Sequence, residues 1–93
     1  MVTTMPRVSF TPNLRRHLDC PAMDAPGDTV RVVLEHVFTG NPRLRGYLLD
    51  EHGRLRKHVA IFVNELPVAD RAGLADPVGE GDDIFVFQAL SGG

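Results

Sequence analysis

The spacing of apolar residues predicts one amphipathic helix among several short strands. In the stretch 28–40, apolar side chains recur at positions i, i+3, i+4, i+7 and i+8, the pattern of a helix with one buried face. This stripe consists of Val30, Val33, Leu34, Val37 and Phe38. Asp28 or Thr29 can cap the first turn. Gly40, followed by an asparagine–proline pair, is typical of a helix end.

Apolar and polar residues alternate in most of the remaining segments, which predicts strands. Strands are expected over residues 7–10, 21–25, 55–64, 66–68 and 84–90. A short second helix is expected after the main one, with Leu44, Tyr47 and Leu48 on one side. A helix with a single apolar stripe packs on one face of a sheet, and here it also connects the opening hairpin to the long strand. This order predicts an α+β fold of the β-grasp (ubiquitin-like) class, with a mixed four- to five-stranded sheet packed on one main helix.

The last strand separates two sets of side chains. Ile84 and Val86 match the aliphatic face of the long strand and should point at the helix. Phe85 and Phe87 should therefore lie on the open face, near Phe62. Exposed aromatic side chains that lie together often mark an interface. The alternation thus predicts an aromatic interface at Phe62, Phe85 and Phe87.

Length and composition indicate one small domain over residues 1–93, with a loose N-terminal extension at 1–5 and a flexible tail at 88–93. The net charge of −2 argues against a nucleic-acid partner, and the arginines are interpreted as scattered, solvated charges. The single cysteine, Cys20, excludes an intramolecular disulfide and a cysteine zinc site. The histidine spacing gives no indication of a metal site. The sequence shows neither a long apolar run nor a secretory leader, so we expect no membrane partner and a cytoplasmic protein.

The sequence ends in "QALSGG", directly after the last apolar strand. Two terminal glycines contribute little to a fold, because glycine loses the most conformational freedom on ordering. They are consistent with a frayed end, or with a tail whose terminal carboxylate is the working group.

Several motifs together resemble the sulfur carrier proteins of the MoaD/ThiS family. They are "GDTV" at the start of the main helix, "FVN" at the end of the long strand, "DPVGEGDDIFVF" leading into the last strand, and the terminal diglycine. The resemblance covers nearly the whole chain from Val8 onward.

This resemblance implies a protein co-substrate that is not itself an enzyme and binds no cofactor. The carboxylate of Gly93 would be adenylated by an activating enzyme of the MoeB/ThiF type, which uses ATP, and then converted to a thiocarboxylate. A downstream synthase would take the sulfur into molybdopterin, a thiazole or cysteine. The tail that presents Gly93 would consist of Gln88, Ala89, Leu90, Ser91 and Gly92.

The resemblance also assigns a role to an aromatic residue in the last strand. In the family, an exposed phenylalanine there contacts the activating enzyme, and it matches Phe87. A second family aromatic, on the first strand, is matched by Thr11, where this chain departs from the pattern.

Two alternative functions share the predicted fold. One is a ubiquitin-like modifier that is joined through its terminal glycine to lysines of target proteins. The other is a β-grasp binding module whose tail is inert. Lys57 is the single lysine of the chain, which argues against elaborate self-linked chains but not against single attachment.

Overall fold

A computed structural model describes residues 5–11 and 22–88 of the chain. Within these ranges the elements, in chain order, are β1 (Arg7–Phe10), β2 (Met23–Asp24), α1 (Val30–Gly40), α2 (Pro42–Leu48), β3 (Val59–Val63), β4 (Leu66–Pro67) and β5 (Asp83–Gln88). The expectations for residues 1–4, for Cys20 and for the end of the tail at 89–93 lie outside the described residues.

The described strands form one mixed sheet in the order β2-β1-β5-β3-β4. β5 lies at its centre, parallel to β1 and antiparallel to β3. The outer strands pair antiparallel with their neighbours, β2 with β1 and β4 with β3. A five-stranded mixed sheet with helices is the predicted β-grasp architecture, which is therefore confirmed.

Helix α1 begins and packs as its sequence predicts. The Thr29 hydroxyl accepts a hydrogen bond from the backbone N–H of Val32 at 3.3 Å, which identifies Thr29 as the cap. The whole predicted apolar stripe of α1 is buried. α2 follows with Pro42 in its first turn, where a missing N–H costs nothing, and it buries Leu44 and Leu48.

Arg31 fixes α1 to two loops of the same molecule. Its guanidinium donates to the backbone carbonyls of Gly73 at 3.1 Å, Ala72 at 3.1 Å and Gly53 at 2.7 Å. A guanidinium presents several N–H donors in a planar fork, so one side chain can satisfy carbonyls from two separate segments. On the same helix, a hydrogen bond from Arg45 lowers the pKa of Glu35, and Arg31 adds to this effect. The helix is thus held by polar contacts as well as by its buried stripe.

β3 is shorter than predicted, because it begins at Val59 and not at residue 55. The backbone before Val59 makes other hydrogen bonds. The N–H of Leu55 donates to the Arg71 carbonyl at 3.0 Å, and that of Arg56 donates to the Leu48 carbonyl at 3.0 Å. The Arg56 carbonyl then accepts the N–H of Val59 at 3.0 Å, which closes a turn. Leu55 is nevertheless buried, so its apolar character reflects the core and not a strand.

The second and fourth strands are also shorter than expected, whereas β1 has the predicted bounds. The second strand was expected over 21–25 and is observed at Met23–Asp24, and the fourth, expected over 66–68, is Leu66–Pro67. The last strand begins one residue earlier than expected, at Asp83. Edge strands that carry or adjoin proline lose ladder donors, which keeps them short.

A carboxylate clamp fixes the start of β5. Asn64 and Glu65 form the β3–β4 turn with φ values of 49° and 72°, a left-handed conformation that asparagine tolerates. The Asn64 side-chain N–H donates to Asp82 at 2.9 Å, and the Asn64 side-chain oxygen accepts from the backbone N–H of Asp83 at 2.9 Å. The backbone N–H of Gly79 also donates to the Asp82 carboxylate, at 2.8 Å. The Asn64 bond, followed by the Gly79 bond, lowers the pKa of Asp82.

The depressed pKa of Asp82 predicts a contribution to stability that depends on pH. This contribution is fully present above the unfolded-state pKa of about 4 and is lost as the pH falls through the lower folded-state pKa. Asp82→Asn should lower the urea midpoint at about pH 7, and should reduce the difference between the midpoints at about pH 7 and pH 3. Glu35 has a lowered pKa as well, so part of the wild-type difference should remain.

Asp83→Asn is the matched control, because it removes the same charge from the adjacent residue. Its carboxylate accepts no hydrogen bond from the described part of the chain, whereas that of Asp82 accepts two. Equal effects of the two substitutions on the urea midpoints would refute the clamp.

Candidate functional site

The open face of the sheet carries the outward set of β5 side chains. Ile84 and Val86 are 0% exposed, whereas Phe85 and Phe87 are 38% and 42% exposed. The predicted facing of the last strand is therefore confirmed. Exposed aromatic side chains that lie together on one face often mark an interface, so this face is the first candidate for one.

Phe62, Phe85 and Phe87, here called the aromatic patch, lie on neighbouring strands. Phe62 of β3 is directly opposite Phe85 of β5, and Phe87 is opposite Ala60. Directly opposed residues place their Cβ atoms about 4.5–5.5 Å apart, so Phe62 and Phe85 are neighbours on one face. Phe62 is partly buried, which fits a position between Phe85 and Pro67 of β4. The structure thus brings together the aromatic residues that the sequence selected, and their role in binding stays a prediction.

β5 carries the chain to Gln88, which is opposite Val59 in the register with β3. Gln88, which was predicted both as part of the last strand and as the first residue of the tail, is the last residue of β5, because this pairing continues to it. The other residues of the predicted tail lie outside the described residues: Ala89, Leu90, Ser91, Gly92 and Gly93. The described part of β5 therefore ends at Gln88, directly before the rest of the predicted tail.

A cleft of about 240 Å³ lies beside the end of β5. It is lined by Gly46, Tyr47, Arg56, His58 and Gln88. The side-chain oxygen of Gln88 is buried and accepts no hydrogen bond from the described residues. The Arg56 side chain is held at one wall by its Nε–H, which donates to the Gly46 carbonyl at 3.0 Å. Polar groups and the Arg56 guanidinium thus line the cleft beside Gln88.

The described residues show little sign of a metal site or of a membrane-spanning helix. Over 5–11 and 22–88, there is no group of three or more His, Cys, Asp or Glu side chains that could hold a metal ion. In the same part of the chain, no helix is long and apolar enough to cross a membrane. The lowered pKa values of Asp50 and Asp70 arise first from backbone N–H donors, of Arg54 and Gly73 respectively, which is typical of turn carboxylates.

The structure places Thr11 and corrects the interpretation of the arginines. Thr11, which the resemblance matched to a family aromatic on the first strand, lies directly after β1 and is only 8% exposed. The arginines were interpreted as scattered, but Arg56 and Arg71 lie together, since Arg71 donates to the Arg56 carbonyl at 2.7 Å. The sequence "RLRKH" at 54–58 was the signal for a basic cluster, and Arg71 could not be added to it without the fold.

Comparison with known proteins identifies a family for most of the chain. Residues 16–93 match the ThiS family. The sulfur carrier protein CysO of Mycobacterium tuberculosis is 30% identical over 74 residues, which are 77% of this chain and 80% of that protein. CysO of Mycobacterium bovis matches to the same extent.

Solved structures agree with the sequence matches. A chain in the crystal structure of the Amycolatopsis orientalis BexX/CysO complex matches with a TM-score of 0.79 and 27% identity, over 94% of this chain and 98% of that one. The crystal structure of Mycobacterium tuberculosis CysO matches with a TM-score of 0.76 and 29% identity, over 90% and 98%. The small archaeal modifier protein 1 from Methanosarcina acetivorans shares the fold, with a TM-score of 0.79 at 21% identity and full coverage of both chains.

The opposite exposure of neighbouring residues in β5 predicts opposite effects on stability. Phe87→Ala removes an exposed side chain and should change the free energy of unfolding by less than about 1 kcal/mol. Ile84→Ala leaves a cavity in the core and should lower it by about 2–5 kcal/mol. Urea unfolding of the two variants measures both values. A loss of several kcal/mol for Phe87→Ala would show that this ring is part of the core.

Proposed function

This chain belongs to the ThiS family, and we propose that it carries sulfur as a thiocarboxylate on the carboxyl group of Gly93. It is a sulfur carrier protein of the ThiS/CysO type, a carrier and not an enzyme. The observation that carries the proposal is the family match, which extends to residue 93 and so includes the diglycine.

The proposed chemistry follows from the reactivity of a carboxylate. A free carboxylate is a poor electrophile, because none of its oxygens is a good leaving group. Attack of the Gly93 carboxylate on the α-phosphorus of ATP forms an acyl-adenylate and releases pyrophosphate. A hydrosulfide ion from the sulfur donor then attacks the acyl carbon and displaces AMP, which leaves with the electron pair of the broken C–O bond. Loss of the S–H proton leaves the thiocarboxylate.

The partner supplies the catalytic groups in this scheme. It is an adenylating enzyme of the ThiF/MoeB type, and ATP is its substrate, while the carrier itself binds no cofactor. Gly92 and Gly93 have no Cβ atoms, so they can pass through a narrow channel and adopt backbone angles that other residues avoid. Gln88 starts this tail at the end of a paired strand, which fixes its origin relative to the body.

The aromatic patch serves as the docking surface for the body of the carrier. Its exposed rings are on the strand that leads into the tail, so a partner that holds the tail can reach them. Burial of exposed aromatic rings commonly contributes much of the affinity of an interface. A CysO protein has been solved in complex with BexX, and this supports the view that carriers of this type act by binding separate proteins.

The thiocarboxylate then donates its sulfur to a biosynthetic synthase of the cysteine, thiazole or molybdopterin type. The CysO relatives support the general class of carrier, and the acceptor enzyme defines the product. The sulfur attacks an electrophilic carbon of the acceptor's substrate and displaces a leaving group, which forms a thioester. Water then cleaves the bond between the acyl carbon and the sulfur, so that the sulfur departs with its bonding electrons and the Gly93 carboxylate is restored.

Intact-mass measurement tests the proposed chemistry. Incubation with the ThiF/MoeB-type enzyme of the source organism, ATP and a sulfur donor should increase the mass of the carrier by the difference between sulfur and oxygen. A variant with one alanine added after Gly93 should show no such increase, because the extra side chain obstructs the channel and displaces the carboxylate. A variant with one alanine added before Met1 is the control and should react normally. Normal reaction of the C-terminally extended chain would rule out the Gly93 carboxylate as the sulfur-bearing group.

Substitution in the aromatic patch tests the proposed docking surface. Phe87→Ala should weaken the Kd for the adenylating enzyme by about tenfold or more, measured by titration calorimetry, because it removes an aromatic anchor. Val32→Ala is the control, since Val32 is 37% exposed but belongs to α1 and not to the sheet face. Similar affinities for the two variants would place the docking surface elsewhere.

A further inference from the structure

The two ends of β5 differ in charge. Acidic residues lie at and just before its first residue: Glu80, Asp82 and Asp83. Asp24 adds a carboxylate at this end, where it lies 3.8 Å from the guanidinium of Arg7, whose backbone is paired with Asp83. The start of β5 is therefore a predominantly acidic end of the molecule.

The other end of β5 is cationic. Arg56, Lys57 and Arg71, here called the cationic patch, are all exposed. Arg71 donates to the Arg56 carbonyl at 2.7 Å, and the same carbonyl accepts the N–H of Val59 at 3.0 Å. Since Val59 is opposite Gln88, the patch lies beside the last residue of β5.

The charges of this patch are only partly compensated. Arg54, in the same segment, is 3.8 Å from Asp50, so that pair is nearly neutral, and Glu51 is an acidic neighbour in the adjoining turn. Lys57 makes no hydrogen bond or ion pair with the described residues, and Arg56 uses only its Nε–H, on the Gly46 carbonyl. Asp70, next to Arg71, is a second carboxylate without an ion pair in the described chain, and its lowered pKa keeps it charged. Three cations against two unpaired carboxylates still leave this end positive, although the whole chain has a net charge of −2.

The two ends are far enough apart to act separately on a partner. At about 3.4 Å per residue, the first and last residues of β5 are about 17 Å apart. The screening length at physiological ionic strength is about 8 Å, so a partner near one end senses mainly the charge of that end.

We propose that the cationic patch docks against acidic side chains around the opening of the channel that receives the tail, and so orients the carrier tail first. The occupant is an acidic surface of the adenylating partner. Opposite charges at two ends of a small protein favour one direction of approach, and complementary charge at an interface acts chiefly on the association rate. The aromatic patch then provides the short-range contact. This proposal rests on the proposed function, since it assumes a partner that receives the tail.

The test compares the association rates of matched charge variants with the immobilised ThiF/MoeB-type adenylating enzyme. Lys57→Gln removes a cation at the tail end, and Arg7→Gln removes one at the opposite end, so the two proteins have the same net charge. At roughly 0.1 M NaCl, Lys57→Gln should lower kon about twofold to fivefold, and Lys57→Glu should lower it further. At roughly 1 M NaCl, where the screening length is about 3 Å, the rates of all variants should converge.

Two control variants show whether an effect on kon arises from the position of the lost charge, from the loss of charge itself, or from a change in folding. Arg7→Gln should keep the wild-type kon or raise it, and Lys57→Arg should keep it because the charge is retained. Lys57 is exposed and makes no hydrogen bond within the described chain, so its variants should keep the wild-type unfolding midpoint. A kon for Lys57→Gln equal to that of Arg7→Gln, or a difference that persists at high salt, would overturn the proposal.

Intact mass is measured on the same variants to separate this inference from the proposed function. If Lys57→Gln and the wild type associate at the same rate and both acquire sulfur, the docking inference fails and the carrier function stands. If no variant, including the wild type, acquires sulfur under any condition, the proposed function fails.

Discussion

The pairing of β5 on both of its edges is the constraint on which the rest of the structure depends. β5 is parallel to β1 along one edge and antiparallel to β3 along the other, so β5 cannot shift without breaking both ladders. A slip of one residue would expose Ile84 and Val86 and bury Phe85 and Phe87. The core therefore holds the aromatic side chains outward. The same register fixes Gln88 opposite Val59 and thereby the origin of the tail.

The features predicted correctly from the sequence depend on local periodicity and one buried face. The α1 stripe and the alternation in β5 needed only the assumption of a single core. The start of β3 could not be predicted in this way. Leu55 fits the alternation of apolar residues in β3, although it lies before the strand begins. Its N–H is used by the Arg71 carbonyl, and Arg71 reaches this position only through the fold. The local sequence pattern thus predicts which face of the sheet each side chain points to. The ends of the strands depend instead on hydrogen bonds between the backbone and other segments of the chain.

One part of the candidate site could likewise be predicted from the sequence, and another part could not. The aromatic patch was predictable, since alternation and the order of the strands place Phe62 and Phe85 on one face. The cationic patch was not, because Arg71 contacts Arg56 across a long sequence separation, and α2 contributes Gly46 and Tyr47 to the adjoining cleft. The positions of charged residues in a sequence do not show which of them lie on the same surface. Tertiary contacts are needed to show which charges form one patch.

The two patches suit the requirements of a carrier, which must bind a partner and then leave. Charge at an interface mainly accelerates encounter, while a few buried aromatic side chains set the rate of departure. In the proposed mechanism, affinity is concentrated in the aromatic patch and the cationic patch speeds encounter, which would permit fast association without an excessively long-lived complex. The aromatic patch lies on β5 and its partner β3, and the cationic patch lies in the segment before β3 and in the loop between β4 and β5. Arg31 holds α1 to both of these segments through the carbonyls of Gly53 and Gly73. In the proposed mechanism, a body without catalytic groups is therefore sufficient, because its task is to present one carboxylate in a fixed orientation.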